Sequence, residues 1–253
     1  LNDLRSVLQQ TLTEGADPSK GLKILQAMTP FWIEYSLYDE CQRHIYPLLY
    51  ENTSQVVLTL RQRMNLSAVA GKASTWAKGP TPETHSAWKT ALTIAEKLDD
   101  KEIRLQAHYG LWLYYLRTGE LDKALEHAQS MCELARSITD EEAMATGLRI
   151  LGVSLHFLGR HDVGRDYLQQ SLDWYEHGEL SHSFRFGLDQ ESAGQAFLSR
   201  LLWLQGEYKA AKQMAWRGVK KAARLQHVCS LCCALAEGAC MTAALDRNPR
   251  WVI

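Results

Sequence analysis

The chain has 253 residues, 46% of them hydrophobic and 23% charged, which is ordinary folded material and excludes a disordered polypeptide. Its 28 basic and 29 acidic residues leave a net charge of −1, which argues against this segment gripping nucleic acid through its own field. It shows no secretory signal and no run close to ~18 uninterrupted apolar residues, and its six cysteines (Cys41, Cys132, Cys229, Cys232, Cys233, Cys240) are not spaced as a disulfide frame, so the expected compartment is the cytoplasm with no membrane span.

In chain order, Leu1, Leu4, Leu8 and Leu12 form a helical stripe that stops at Gly15. A second helix begins at Asp17-Pro18-Ser19, where proline suits the first turn, and carries Leu22, Leu25, Met28 and Trp32 on one face. Pro30 lies inside that pattern and is expected to kink or break it. The partner helix runs from Tyr38 to Tyr50, with Pro47 weakening its last turn. Helical period continues from Gln55 to Ser74, then breaks at Lys78-Gly79-Pro80. Thr81 and Pro82-Glu83 read as the cap and first turn of a helix whose Ala87, Trp88, Ala91, Leu92 and Ala95 face inward.

Glu102–Thr118 and Glu120–Ile138 read as a helical hairpin joined through Gly119. In it His108-x2-Leu111-Trp112-x2-Tyr115, then Ala124-x3-Ala128, fall at the spacings of a tetratricopeptide unit. Leu148-x2-Leu151-Gly152-x2-Leu155 with Gly159 and Gly164-x3-Leu168 repeats the pattern, and small residues at Gly152 and Gly164 are expected to let two helices approach closely. A third unit is Gln195-x2-Leu198-Ser199-x2-Leu202 with Gly206 and Ala211-x3-Ala215. The turn glycines at 119, 159 and 206 are 40 and 47 residues apart, against about 34 in the standard unit. The excess is placed at Glu179–Asp189, a polar and aromatic stretch without helical period. Val228–Leu245 reads as a last Ala/Cys/Leu-rich helix stopped by Asn248-Pro249, on which something should pack. No strand alternation occurs. About twelve helices in six pairs imply an all-α, right-handed α-α superhelix forming a single domain over 1–253.

Several segments resemble one family. Asn2-Asp3-Leu4-Arg5-Ser6-Val7-Leu8, Pro30-Phe31-Trp32, Lys78-Gly79 with Pro82-Glu83 ahead of Ala91-Leu92, and Phe184-Arg185-Phe186-Gly187-Leu188-Asp189 are similar to the C-terminal helical arm of bacterial STAND-type predicted ATPases. Those regulators join a winged-helix DNA-binding domain, a nucleotide switch and a tetratricopeptide-like sensor arm, and the arm also resembles that of maltose-regulator-type activators. Where the group often has Asp-Pro-Gly, this chain has Asp189-Gln190-Glu191. It contains no G-x-x-x-x-G-K-[ST] phosphate loop and no recognition helix that can be placed. The resemblance therefore implies a non-catalytic, effector-sensing and protein-interaction arm, with ATPase and DNA-binding domains elsewhere in a larger polypeptide and homo-oligomeric assembly as the output. A stand-alone scaffold holding a partner peptide and the regulatory arm of a nucleotide cyclase are the alternatives.

In tetratricopeptide arrays the first helix of each pair lines the concave face, which places Tyr109, Arg149, His156, Arg200 and Trp203 there. Such a cationic and aromatic lining suits an anionic effector or an acidic peptide of a partner protein. The alternative is that these are ordinary contacts between helices. Arg185 and Asp189 either fold over that groove or form a local ion pair in a surface connection. Cys229-x-x-Cys232-Cys233 with His227 has metal-like spacing, but zinc needs four ligands and the run lies on a helix, so buried helix cysteines are expected. Neither a metal nor a cofactor is expected. Lys212, Arg217, Lys220, Lys221 and Arg224 read as a solvated helix face, with a site for phosphate or an acidic partner as the alternative.

Overall fold

The computed structural model describes residues 6–7, 18–50, 57–177 and 184–247, so the expected first helix over 1–12, the start of the connection at 178–183 and the stop at 248–249 lie outside the described residues. Every regular element among the described residues is helical, and the fold class is all-α, built of tetratricopeptide-like helical hairpins. The chain divides into two compact units, residues 1–114 and 115–253.

The first unit holds α1 (Pro18–Glu34), α2 (Tyr38–Tyr50), α3 (Leu60–Ala77), α4 (Pro82–Lys97) and most of α5 (Lys101–Thr118). Pro30 and Pro47 do not end their helices; α1 runs on to Glu34 and α2 to Tyr50. Helix α3 starts later than its apolar period suggests. Thr59 caps it, its hydroxyl accepting from the Gln62 N–H at 3.2 Å while the Gln62 side chain accepts from the Thr59 N–H at 2.9 Å. Thr81 caps α4 and Pro82 opens it, as the sequence suggests. Trp88 is the keystone of this unit. Its indole lies where a Cβ on Gly71 or Gly110 would come within 2.6 or 2.1 Å, and its N–H donates to Thr75 Oγ1 at 3.0 Å.

The second unit contains α6 (Leu121–Ser137), α7 (Glu141–Phe157), α8 (His161–His177), α9 (Gln190–Leu204) and α10 (Tyr208–Arg224). Helices α7 and α8 meet backbone to backbone. A Cβ on Gly152 would stand 2.7 Å from the Gly164 carbonyl oxygen, and one on Gly164 2.8 Å from that of Gly152. The terminal segment is not one α-helix. It runs as α11 (Val228–Cys233), a π-helical stretch Ala234–Cys240, and α12 (Met241–Leu245). By length and composition alone these 18 residues are long and apolar enough to cross a membrane, although Ser230, Glu237 and Thr242 interrupt the apolar run. Here Ser230, Ala234, Gly238, Ala239, Thr242 and Ala243 are buried, Gly238 lying where a Cβ would come 3.1 Å from Ala196 of α9.

The links follow one rule. Gly79, Gly119, Gly159 and Gly206 take positive φ of 76 to 86°, and the residue after Gly119 or Gly159 donates its N–H to a carbonyl five residues back, as in Glu120 to Tyr115 at 2.9 Å. Asp99, Thr139 and Gln226 also take positive φ, 51 to 54°, as does Ser36 between α1 and α2 at 56°, although none is glycine. Gly79 joins the glycine series, giving spacings of 40, 40 and 47. Helices α6 and α7 have 17 residues each, and with the three-residue links 138–140 and 158–160 they account for the 40.

Candidate functional site

The ends of the two hairpins in the second unit bring three of the expected residues together. His156, in the last turn of α7, is buried, and its Nδ1 lies 3.1 Å from Nδ1 of His161 at the start of α8. One ring must donate and the other accept, so the pair holds opposite tautomers. Burial first, then Arg200 and His161, push the His156 imidazole down to about 4. Arg200 of α9 stacks its guanidinium 5.3 Å from the Phe157 centroid and 5.4 Å from that of Phe197. Its Nη1 donates to Glu237 Oε2 at 2.7 Å, which ties α9 to the π-helical stretch.

One turn on, Trp203 packs 5.2 Å from Tyr208, and its buried indole N–H has no acceptor among the described residues. At these hairpin ends Phe157, Val163, Leu204 and Tyr208 are 40 to 52% exposed. Two polar bridges hold the hairpin ends side by side. Arg165 donates to Gln205 Oε1 at 2.8 Å, and Gln205 Nε2 donates to Asp162 Oδ1 at 2.8 Å.

The other expected residues lie elsewhere. Arg149 is 2% exposed, and its Nε donates to Gln190 Oε1 at 2.9 Å. It faces Tyr175, whose phenol burial pushes up while Arg149 opposes the rise. Asp189, 1% exposed, caps α9 by accepting the Ser192 N–H at 2.7 Å. Its own N–H donates to Ser230 Oγ at 2.8 Å, and that hydroxyl in turn reaches His227 Nδ1 at 2.8 Å. Arg185 does not pair with Asp189. It grips Asp140, the cap of α7, with both Nη atoms, at 3.1 and 2.7 Å. With Phe184 stacked 3.9 Å from His227 and Phe186 and Leu188 buried, residues 184–189 are fastened to the starts of α7 and α11. Tyr109 belongs to the first unit, buried, with its ring 5.5 Å from Trp112.

Sequence reading did not single out Phe157, Phe197 or Glu237. Their contacts with Arg200 cross 43, 3 and 37 residues, and only the i, i+3 relation of Phe197 and Arg200 is visible along one helix. The cysteine run also differs from expectation. Cys232 is exposed and Cys229 and Cys233 are only partly buried, and His227 Nδ1 is engaged by Ser230. The described residues contain no group of three or more His, Cys, Asp or Glu that could hold a metal ion.

No protein-family model and no curated protein matches the chain. Solved structures do. A Rap protein complexed with competence and sporulation factor superposes with TM-score 0.67 at 16% identity, over 83% of this chain and 56% of that one. A signal transduction ATPase with numerous domains (STAND) with a tetratricopeptide repeat sensor, from Pyrococcus horikoshii, gives 0.61 at 14%, over 87% and 32%. A putative kinesin light chain with tetratricopeptide-like repeats from Podosopora anserina gives 0.57 at 14%, over 83% and 99%. At these identities the likeness shows the fold, that of the tetratricopeptide-like helical-repeat superhelices. The chain spans about half of the Rap protein and a third of the STAND protein.

Proposed function

We propose that this chain is the effector-sensing and protein-interaction arm of a cytoplasmic bacterial signalling ATPase that regulates transcription, and that it performs no chemistry of its own. The observation that carries the reading is the surface at the hairpin ends. A guanidinium beside two phenyl rings and tied to Glu237 through Nη1, with a tryptophan one turn away and exposed apolar side chains nearby, has the make-up of a recognition site for a carboxylate- or phosphate-bearing effector or peptide. Two similar folds support the context, one a STAND protein with a repeat sensor and one a Rap protein complexed with a factor. In this reading His156, Arg200 and Trp203 contact the effector. Arg149, Arg185 and Asp189 hold α7, α9 and the connection in place beneath it.

A sensor can shift an ATPase between states only if its effector binds one state better. In the full-length protein, Arg200→Ala with Trp203→Ala is expected to abolish ATP-dependent assembly triggered by the small-molecule and peptide fraction of the source cells. Light scattering after gel filtration reads the outcome. Assembly equal to that of the parent protein, or a reading frame around this chain with no ATPase motif, would overturn the proposal.

A further inference from the structure

Helix α10 carries a second surface that shares no residue with the hairpin ends. Arg217, Lys220, Lys221 and Arg224 stand at i, i+3, i+4 and i+7, on one side of the helix within two turns. With Trp216 and with Glu191 of α9 they line a pocket of about 600 Å3. Two of the cations are matched. Arg217 Nη2 donates to Glu176 Oε1 at 2.6 Å, and Lys221 pairs with Glu191. Lys220 and Arg224 have no carboxylate partner among the described residues, and the Lys220 ammonium lies 5.7 Å from the centroid of Trp216, a residue 46% exposed.

Solvation accounts for charges on a helix face. The open recess beside them adds an exposed aromatic face next to two cations that have no carboxylate partner among the described residues. We propose that the pocket binds a small phosphorylated molecule with a planar ring, of the nucleoside diphosphate class. The ring stacks on Trp216 and the phosphates lie between Lys220 and Arg224. Those two side chains leave the helix one turn apart, with Cβ atoms about 6 Å from each other, which suits adjacent phosphates. The cationic face spans about 10 Å along the axis. That accommodates a base and two phosphates but only about three residues of extended peptide, which favours the small molecule over an acidic peptide.

The test is calorimetric titration of the 253-residue chain with ADP, adenosine, inorganic phosphate and a hexaglutamate peptide. ADP is expected to bind more weakly as salt rises, with adenosine and phosphate each at least about tenfold poorer. Lys220→Ala with Arg224→Ala should weaken ADP by about tenfold or more, and Trp216→Leu should weaken ADP while leaving phosphate unchanged. These side chains are at the surface, and circular dichroism checks that each variant stays folded. No heat with millimolar ADP, adenosine equal to ADP, ADP binding unchanged in both variants, or hexaglutamate occupying the pocket in place of ADP would each overturn the proposal. Because this pocket and the Arg200 surface have separate residues, failure of one leaves the other standing.

Discussion

His156 shows how a single residue records its surroundings. An ordinary histidine titrates near 6.5, whereas this one is held to about 4 by burial, then by Arg200 and His161. The fold thus favours the neutral ring. Its contribution to stability is complete above about pH 6.5 and is lost as the pH falls through the folded value. Arg200→Met removes the second of the three causes, so the imidazole midpoint should rise toward 6.5 when followed by proton NMR. An unmoved midpoint would show that burial and His161 set it without Arg200. Arg200 itself was singled out by the repeat register. The rings and carboxylate that hold it were not, since Phe157 and Glu237 reach it only through tertiary packing.

Between elements, the approach of α7 to α8 was readable because Gly152 and Gly164 stand at the spacing where a repeat unit needs small residues. Gly152→Ala would press a methyl group to 2.7 Å from a backbone oxygen, which cannot rotate aside as a side chain can. A loss of about 1–3 kcal/mol is expected in urea unfolding, from overpacking alone. Gly79→Ala is the contrast. Nothing lies within 4 Å of its added methyl, so only the positive φ matters and the loss should be about 1–2 kcal/mol. Equal, near-zero effects would mean the helices separate at no cost. Other features at this scale were hidden. Proline inside α1 and α2 reads as a breaker by propensity, yet packing keeps both helices continuous. The π-helical stretch has no signature in its run of Ala, Leu, Gly and Cys. The docking of residues 184–189 depends on Asp140 and Ser230, some 40 residues away on either side.

Across the whole chain the 40-residue period was visible in two glycines and became a series of three only when Gly79 joined it, since Pro80 and Pro82 make that turn read as a plain break. The fold class was legible because the period, the small residues and the turn glycines agree with one another. The links at residues 79, 119, 159 and 206 use glycine for a left-handed residue, whereas Ser36, Asp99, Thr139 and Gln226 take positive φ of 51 to 56° without being glycine. Thr139 is β-branched, the kind of residue that tolerates this region least. Thr139→Gly should therefore raise the urea midpoint, by up to about 1 kcal/mol after the greater freedom of glycine in the unfolded chain is offset. An unchanged or lower midpoint would show that the Thr139 hydroxyl, 2.7 Å from the Ile138 carbonyl, outweighs the strain. The alternation has an evolutionary meaning. A lineage that drifts through destabilising changes on its recognition surfaces can recover lost ground at Thr139, a position in neither proposed surface, by a single substitution.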